Sequence, residues 1–92
     1  MKELIGVEMA IIIAKNLKRI RKETGLTQTE VAELANIHRV TYTRYETGKL
    51  NISVHHLVKV AFVLNVTVDE VLSGVIEAMQ EGWNWIKGSG YI

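Results

Sequence analysis

The sequence predicts an all-α fold, a compact bundle of five helices forming one domain over residues 1–92, and three observations support this. Apolar residues make up 48% of the chain and recur at helical spacing along most of its length. No Pro is present to interrupt a helix, and residues that start or stop helices stand between the periodic segments. Because no Cys is present either, we expect packing rather than disulfide bonds to hold the core.

The first two predicted helices are marked by an apolar stripe and by a capping pattern. Apolar residues recur from Ile13 to Ile20, and Lys and Arg cover the remaining surface until a glycine ends the first helix. Thr27 and Glu30 form the Thr-x-x-Glu pattern of a capping box and open the second helix. Asn36 stands where a left-handed residue lets the chain turn. A third helix is therefore predicted to begin almost at once.

The third predicted helix, from about His38 to Thr47, has two different sides. Tyr42 and Tyr45 lie three residues apart and are expected to pack in the core rather than to stack on a base. The other side carries Arg39, Val40, Thr43 and Arg44. A charged face of this kind is expected either to contact a partner or to be simply solvated.

The last two predicted helices also begin at capping residues. Ser53 caps a fourth helix with a wide apolar face, and Asn65 ends it. Thr67 and Glu70 form a second capping box, which opens a fifth helix whose apolar stripe runs for about three turns, to Met79. The final segment, "GWNWIKGSGYI", has no helical period and is predicted to be non-helical.

Charge is unevenly distributed along the chain. Residues 15–49 carry eight Lys or Arg against four Glu, whereas residues 66–92 carry four acids against one Lys. A basic middle fits a surface that binds a polyanion, although a solvated helix face is the alternative. The longest apolar run, "MAIII", is too short to span a bilayer, so we expect a cytoplasmic protein without membrane contact.

The segments "GLTQTEVAELANIHRVTYTRYETGKLNIS" and "LVKVAFVLNVTVDEVL" closely resemble the Cro/phage-repressor, or XRE, family of DNA-binding domains. The likeness covers about Arg19 to Leu72. It implies a lambda-repressor-like fold in which the second and third helices form a helix-turn-helix. Residues 9–73 would be the DNA-binding core, and residues 74–92 an extension that serves dimerisation.

The resemblance also implies which side chains meet double-stranded DNA. The exposed side of the third helix would face base edges in the major groove through Arg39, Val40, Thr43 and Arg44. The chemistry agrees, because Arg can bond guanine, Val can contact a thymine methyl and Thr can do either kind of contact. Contacts to the DNA backbone are implied for Gln28, His38, Lys49 and Asn51.

Glu46 requires another role, because an acid on this helix would repel phosphate. In the family the matching acid pairs with a basic residue at the position of Arg21, so these two are expected to form a structural ion pair. Three positions depart from the family pattern. Asn36 replaces the usual Gly of the turn, Ile52 replaces a frequent Pro, and His38 replaces a Ser or Thr cap and is expected to cap poorly.

A homodimer is predicted because more apolar surface is present than so small a domain can bury. The residues expected at the interface are Phe62, Val63, Val75, Ile76, Met79, Trp83 and Trp85. The tail from Trp83 to Ile92 would cross to the partner or cover Phe62, and the alternative is that it folds back on its own subunit.

These observations together predict a sequence-specific transcriptional regulator, a repressor that acts as a homodimer on a two-fold operator. The rival prediction is an antitoxin that binds a toxin and autoregulates, and a restriction-modification controller is a third possibility. No enzyme is expected, because no motif supplies a nucleophile with its base. No metal or other cofactor is expected, because His38, His55 and His56 lack partners at metal-binding spacing.

Overall fold

The computed structural model describes residues 2–88, leaving aside the side chains of residues 2–5, 85 and 86. Its six helices are α1 (Lys2–Thr24), α2 (Gln28–Ala35), α3 (Arg39–Glu46), α4 (Val54–Leu64), α5 (Val68–Val71) and α6 (Val75–Gly88). The all-α class is confirmed, with six helices instead of five. The molecule measures 47 × 21 × 19 Å, and its length reflects α1, which has 23 residues and so runs for about 35 Å.

The core forms around α1, which packs against α3, α4, α5 and α6, while α2 packs against α3 and α4. The largest fully buried side chains come from five of the helices: Leu17, Val31, Tyr42, Val60, Leu64 and Val71. Tyr45 is buried as well, so the prediction that the tyrosine side of the third helix packs inward is confirmed. The back of α3 is therefore fixed to the core.

The helix ends predicted from capping patterns are confirmed. The Thr27 hydroxyl accepts a hydrogen bond from the Glu30 backbone N–H, and the Glu30 carboxylate accepts one from the Thr27 N–H. Asn36 and Asn65 both take left-handed backbone angles, with φ of 54° and 57°. Backbone N–H groups three residues ahead also donate to the capping hydroxyls of Ser53 and Thr67. The chain thus turns where its sequence indicated.

The predicted fifth helix is in fact two helices, and this corrects the sequence analysis. α5 ends at Val71, and the chain turns through Gly74, which has a φ of 87°. The Asn16 side chain on α1 donates hydrogen bonds to the carbonyls of Val71 and Ser73, both at 2.8 Å. These bonds satisfy carbonyls that a continuous helix would have used, so the break is stabilised from a distant part of the chain.

The prediction that the segment from Gly82 onwards is non-helical was wrong for residues 82–88, because α6 continues to Gly88. One side of α6 lies against α1, which supplies a packing surface that the local periodicity does not reveal. Residues 89–92 of the predicted tail lie outside the described range. Within residues 2–88, no helix is both long and apolar enough for a membrane crossing.

Candidate nucleic-acid interface

A three-residue turn, Asn36–His38, places α3 against α2. Ile37 in the middle of this turn is buried and ties it to the core. His38 accepts a hydrogen bond at Nδ1 from the Val40 backbone N–H at 3.2 Å, so the prediction that His38 caps poorly was wrong. A neutral imidazole with its proton on Nε2 provides the acceptor that a Ser or Thr hydroxyl would otherwise supply.

The outer side of α3 forms a concave surface that encloses a volume of about 480 Å³. Its lining residues are Arg39, Val40, Thr43, Arg44, Thr47 and Lys49. The structure therefore brings together the four predicted base-reading residues and Lys49, and it adds Thr47, which the sequence did not single out. Among the described residues, salt bridges join only Arg19 to Glu23 and Arg21 to Glu46, so the guanidinium groups of Arg39 and Arg44 remain available to a ligand.

The buried side of α3 is also held by polar contacts to α4. The Tyr45 hydroxyl lies 2.6 Å from Nδ1 of His56, and the two rings meet edge to face. Burial, together with the positive charges that His55 and Lys59 can carry, lowers the pKa of His56. Neutral His56 can therefore accept the tyrosine proton in a hydrogen bond and fix the position of α3 relative to α4.

Arg21 and Glu46 form a bidentate ion pair between α1 and the end of α3. The distance from Nε to Oε2 is 2.6 Å, and that from Nη2 to Oε1 is 3.0 Å. Burial alone would raise the pKa of Glu46, but hydrogen bonds from Arg21 and Gln28 and the proximity of the Tyr42 hydroxyl hold it below its usual value. The Tyr42 hydroxyl itself is buried and falls short of hydrogen-bond geometry with any described residue. Glu46 is thus an ionised acceptor held between α1, α2 and α3.

Gln28, at the start of α2, links this ion pair to the concave surface on the outer side of α3. Its Nε2 donates to Oε1 of Glu46 at 3.1 Å, and its Oε1 accepts from the Thr43 hydroxyl at 3.2 Å. Among the described contacts, the second amide hydrogen and the backbone N–H of Gln28 have no acceptor. The connection between Gln28 and Thr43 was missed by the sequence analysis, because it depends on the distance between two helices rather than on spacing in the chain.

The loop after α3 is supported by the amino-terminal half of α1. Gly48 has a φ of 74°, and a Cβ atom there would lie 3.4 Å from the Cα of Ile11. Asn51 donates a hydrogen bond of 3.4 Å to the Gly6 carbonyl, which is a weak contact. Lys49 between them is exposed. The loop that carries Lys49 and Asn51, the two residues predicted to meet phosphates, is therefore supported by α1 beside the concave surface of α3.

The residues predicted at a dimer interface differ in their exposure. Phe62 is 85% exposed, and the surface of α6 also exposes Ile76, Met79 and Trp83, whereas Val63 is half-buried. Val75 is only 4% exposed because it packs in the core of its own subunit, so its assignment to an interface was wrong. The Trp85 side chain lies outside the described part of the structure.

A groove of about 390 Å³ lies between α2 and α4, and Phe62 is one of its lining residues. Leu34 and Val58 line it and are 65% and 54% exposed. The sequence analysis did not assign these two residues to an interface, although Val58 and Phe62 lie four residues apart on one face of α4. The groove extends the candidate partner surface onto α2.

Two short helices in this arrangement, with an anchored back and a basic outer face, define a helix-turn-helix DNA-binding domain. Residues 17–71 match the helix-turn-helix family, and the chain belongs to this family, in its XRE-type branch. Residues 17–71 therefore form a helix-turn-helix domain of the kind found in transcriptional regulators.

Two curated relatives support the assignment. The uncharacterised HTH-type transcriptional regulator YqaE of Bacillus subtilis is 35% identical over 63 residues, which cover 68% of this chain and 54% of YqaE. This chain thus spans about half the length of YqaE. The control protein C.MunI of a Mycoplasma species is 33% identical over 69 residues, covering 74% of this chain and 93% of C.MunI.

Two solved structures are similar in fold. The restriction-modification controller protein C.AhdI of Aeromonas hydrophila superposes with a TM-score of 0.65 at 26% identity, over 67% of this chain and 94% of C.AhdI. The clp gene regulator ClgR of Corynebacterium glutamicum gives a TM-score of 0.70 at 20% identity, over 90% of this chain and 88% of the ClgR chain. At that identity, the likeness to ClgR shows the fold alone.

Proposed function

We propose that this chain is a cytoplasmic repressor that binds a two-fold operator in double-stranded DNA as a homodimer. The observation that carries the proposal is the two-sided character of α3. Its tyrosines are fixed in the core, while Arg39 and Arg44 lie on a concave outer face without a salt-bridge partner among the described residues. A rigid helix that presents unpaired guanidinium groups suits the guanine edges of the major groove.

In this proposal the side chains divide between base edges and phosphates. Arg39 and Arg44 bond guanine, and Val40, which is 51% exposed, contacts a thymine methyl. The start of α2 at Gln28 directs backbone N–H groups towards a phosphate, as helix amino termini commonly do. The remaining backbone contacts come from His38, Lys49 and Asn51.

The homodimer is proposed from the exposed apolar residues of α4 and α6, with residues 9–73 reading DNA and residues 74–92 contributing to the interface. A Phe that is 85% exposed, beside an apolar groove, is typical of a surface that another protein covers. Helix-turn-helix operators commonly contain two half-sites one helical turn apart, which requires two copies related by a two-fold axis.

A restriction-modification controller is a second candidate, favoured by one specific observation. C.MunI and C.AhdI match over nearly their whole lengths, 93% and 94%, whereas YqaE matches over about half. A controller would bind DNA through the same face of α3. The antitoxin alternative differs in its partner, because the apolar surface of α6 would then bind a toxin instead of a second copy.

Selection of bound sites from random duplex DNA tests the proposal directly. A two-fold consensus is expected, and Arg44→Ala should weaken binding to that consensus by about 1–3 kcal/mol while changing binding to scrambled duplexes much less. Lys49→Ala should weaken binding to both kinds of duplex by the same factor. Arg19→Ala, on the outer surface of α1, is the matched control. Failure to enrich any sequence, with a flat dependence of affinity on salt, would contradict DNA binding.

Sedimentation of the purified chain tests the homodimer. Phe62→Ser and Trp83→Ser alter exposed side chains, so both variants should fold, and dissociation of either variant into monomers would identify its helix as part of the interface. Truncation after Gln80 removes residues 81–92, which include the second half of α6. A shortened chain that remains a dimer would show that this segment is not part of the interface. A wild-type chain that is monomeric at micromolar concentration would contradict the proposal, and co-purification with a second gene product would favour the antitoxin.

A further inference from the structure

Thr43 belongs to a directed chain of hydrogen bonds that determines what its hydroxyl can offer to DNA. The chain runs from the Thr43 hydroxyl to Gln28 Oε1, and from Gln28 Nε2 to Glu46 Oε1. Glu46 is in turn held by Arg21. Each of these groups except the Thr43 hydroxyl has a fixed capacity to donate or to accept, so the direction of the whole chain can be worked out.

The direction starts at Glu46, because an ionised carboxylate can only accept hydrogen bonds. The Gln28 amide must therefore turn its Nε2 towards Glu46, since the opposite orientation would bring two acceptors together. Its Oε1 then faces Thr43 and can only accept. The hydroxyl of Thr43 has a single hydrogen, and that hydrogen is given to Gln28.

We infer that Thr43 acts as an acceptor and selects an exocyclic amino group in the major groove, either N6 of adenine or N4 of cytosine. Its donor is already used, and only the oxygen lone pairs and the methyl group are left to face the ligand. Guanine O6 and N7 and thymine O4 are acceptors, so they have no hydrogen to offer this oxygen. The inference deepens the proposed function and rests on it.

Donation of a hydrogen bond from Thr43 to a base would be energetically costly. To donate to guanine or thymine, the Thr43 hydroxyl would have to rotate away from Gln28, which would leave the half-buried Oε1 of Gln28 without a donor. Thr43 lines the same concave face as Arg39 and Arg44, so the amino-bearing base would lie near the guanines those arginines contact. Glu46 and Gln28 are positioning residues in this scheme, because they act through Thr43.

The test uses the full-length chain and the operator obtained by selection. Each adenine in one half-site is replaced in turn by purine, which lacks the N6 amino group, and each cytosine by 2-pyrimidinone, which lacks the N4 amino group. We expect wild type to lose about three- to tenfold in affinity at one position beyond the loss at neighbouring positions. Thr43→Val should lose no additional affinity there, whereas Thr43→Ser, which keeps the hydroxyl, should retain the sensitivity.

Gln28→Met provides an independent arm, because it removes the acceptor of the Thr43 hydrogen with little change in size. The freed hydroxyl can then donate, so this variant should tolerate guanine or thymine at the position where wild type requires adenine or cytosine. Circular dichroism confirms that each variant is folded. If wild type binds DNA specifically but Thr43→Val loses as much affinity as wild type when the amino group is removed, this inference alone is overturned. If wild type binds no DNA, the proposed function is overturned as well.

Discussion

Arg21 on α1 and Glu46 on α3 face each other with almost no access to water. The Glu46 side chain is 1% exposed and the Arg21 side chain 12% exposed, and Nε of Arg21 lies 2.6 Å from Oε2 of Glu46. Arg21 also donates to the Leu26 carbonyl at 2.9 Å, which fixes the loop before α2. One guanidinium group therefore sets the relative position of three helices, and α3 is the one that carries the proposed reading surface.

Removing the arginine should be strongly destabilising. Arg21→Met leaves the Glu46 carboxylate buried without its counter-charge, so we expect the free energy of unfolding to fall by about 3–5 kcal/mol. Urea denaturation followed by circular dichroism measures this change. Arg19→Met is the matched control, because Arg19 and Glu23 form an exposed pair worth about 0–1 kcal/mol. Equal losses in the two variants would show that the Arg21–Glu46 pair is not a structural determinant.

Stability should decrease in acid because of the same carboxylate. The folded-state pKa of Glu46 lies below the ordinary value of 4.5, so its contribution is complete above about pH 4.5 and is lost as the pH falls through the folded-state pKa. Glu46→Gln should be less stable than wild type at pH 7 and should show a flatter dependence on pH below 5. Unfolding free energies measured from pH 7 to pH 3 provide the comparison.

Glu30 is the appropriate control for this pH dependence. Hydrogen bonds from Thr27 also lower its pKa, but its carboxylate is fully exposed. Below pH 5, Glu30→Gln should therefore reduce the pH dependence of the unfolding free energy less than Glu46→Gln does. A larger effect at Glu30 would mean that capping, and not the buried ion pair, controls stability in acid.

The Asn16 side chain should be required for the turn between α5 and α6. Asn16→Ala leaves the carbonyls of Val71 and Ser73 without their donors, so we expect a loss of about 1–3 kcal/mol in the free energy of unfolding. Asn84→Ala is the control, since it makes the same change at an exposed helical position of α6. If the two variants unfold at the same urea concentration, the hydrogen bonds of Asn16 contribute no net stability.

The close contact between Gly48 and α1 can be separated from the strain of a left-handed backbone. Gly25 and Gly48 have φ values of 79° and 74°. Of these two, only Gly48 has atoms within 4 Å of the position that a Cβ would occupy, and the nearest belong to Ile11 at 3.4 Å. Gly25→Ala should therefore cost about 1–2 kcal/mol from backbone strain alone. Gly48→Ala should cost more and should also weaken DNA binding, because Lys49 is adjacent. Thermal unfolding and duplex titration measure the two effects, and equal melting temperatures would show that the Ile11 contact is not restrictive.

The parts of the fold that were predictable are those determined within a few residues of sequence. Thr27 with Glu30 marks the start of α2, Asn36 and Asn65 mark helix ends, and the spacing of the tyrosines identifies the buried side of α3. Each of these features needs only local backbone geometry or helical periodicity. The bundle and the position of its helix-turn-helix could therefore be predicted from the sequence.

The features that the sequence analysis predicted wrongly or missed depend on contacts between distant segments. The break after Val71 is stabilised by Asn16, and Val75 is buried where α6 turns back along α1. The bond between Gln28 and Thr43 likewise requires two helix axes to be correctly placed. Neither hydrophobic periodicity nor a capping motif contains this information, and for this reason the chemistry of Thr43 became apparent only from the structure.

The amide of Asn16 also has a consequence for the order in which the domain is completed. It bonds carbonyls that lie 55 and 57 positions further along the chain. During synthesis α1 is made before α5, so the Asn16 amide lacks one of its two carbonyl partners until Ser73 has been added. Folding that proceeds from the amino terminus therefore cannot finish helix by helix. The turn between α5 and α6 therefore gains its two side-chain hydrogen bonds only after all of α3 and α4 has been synthesised.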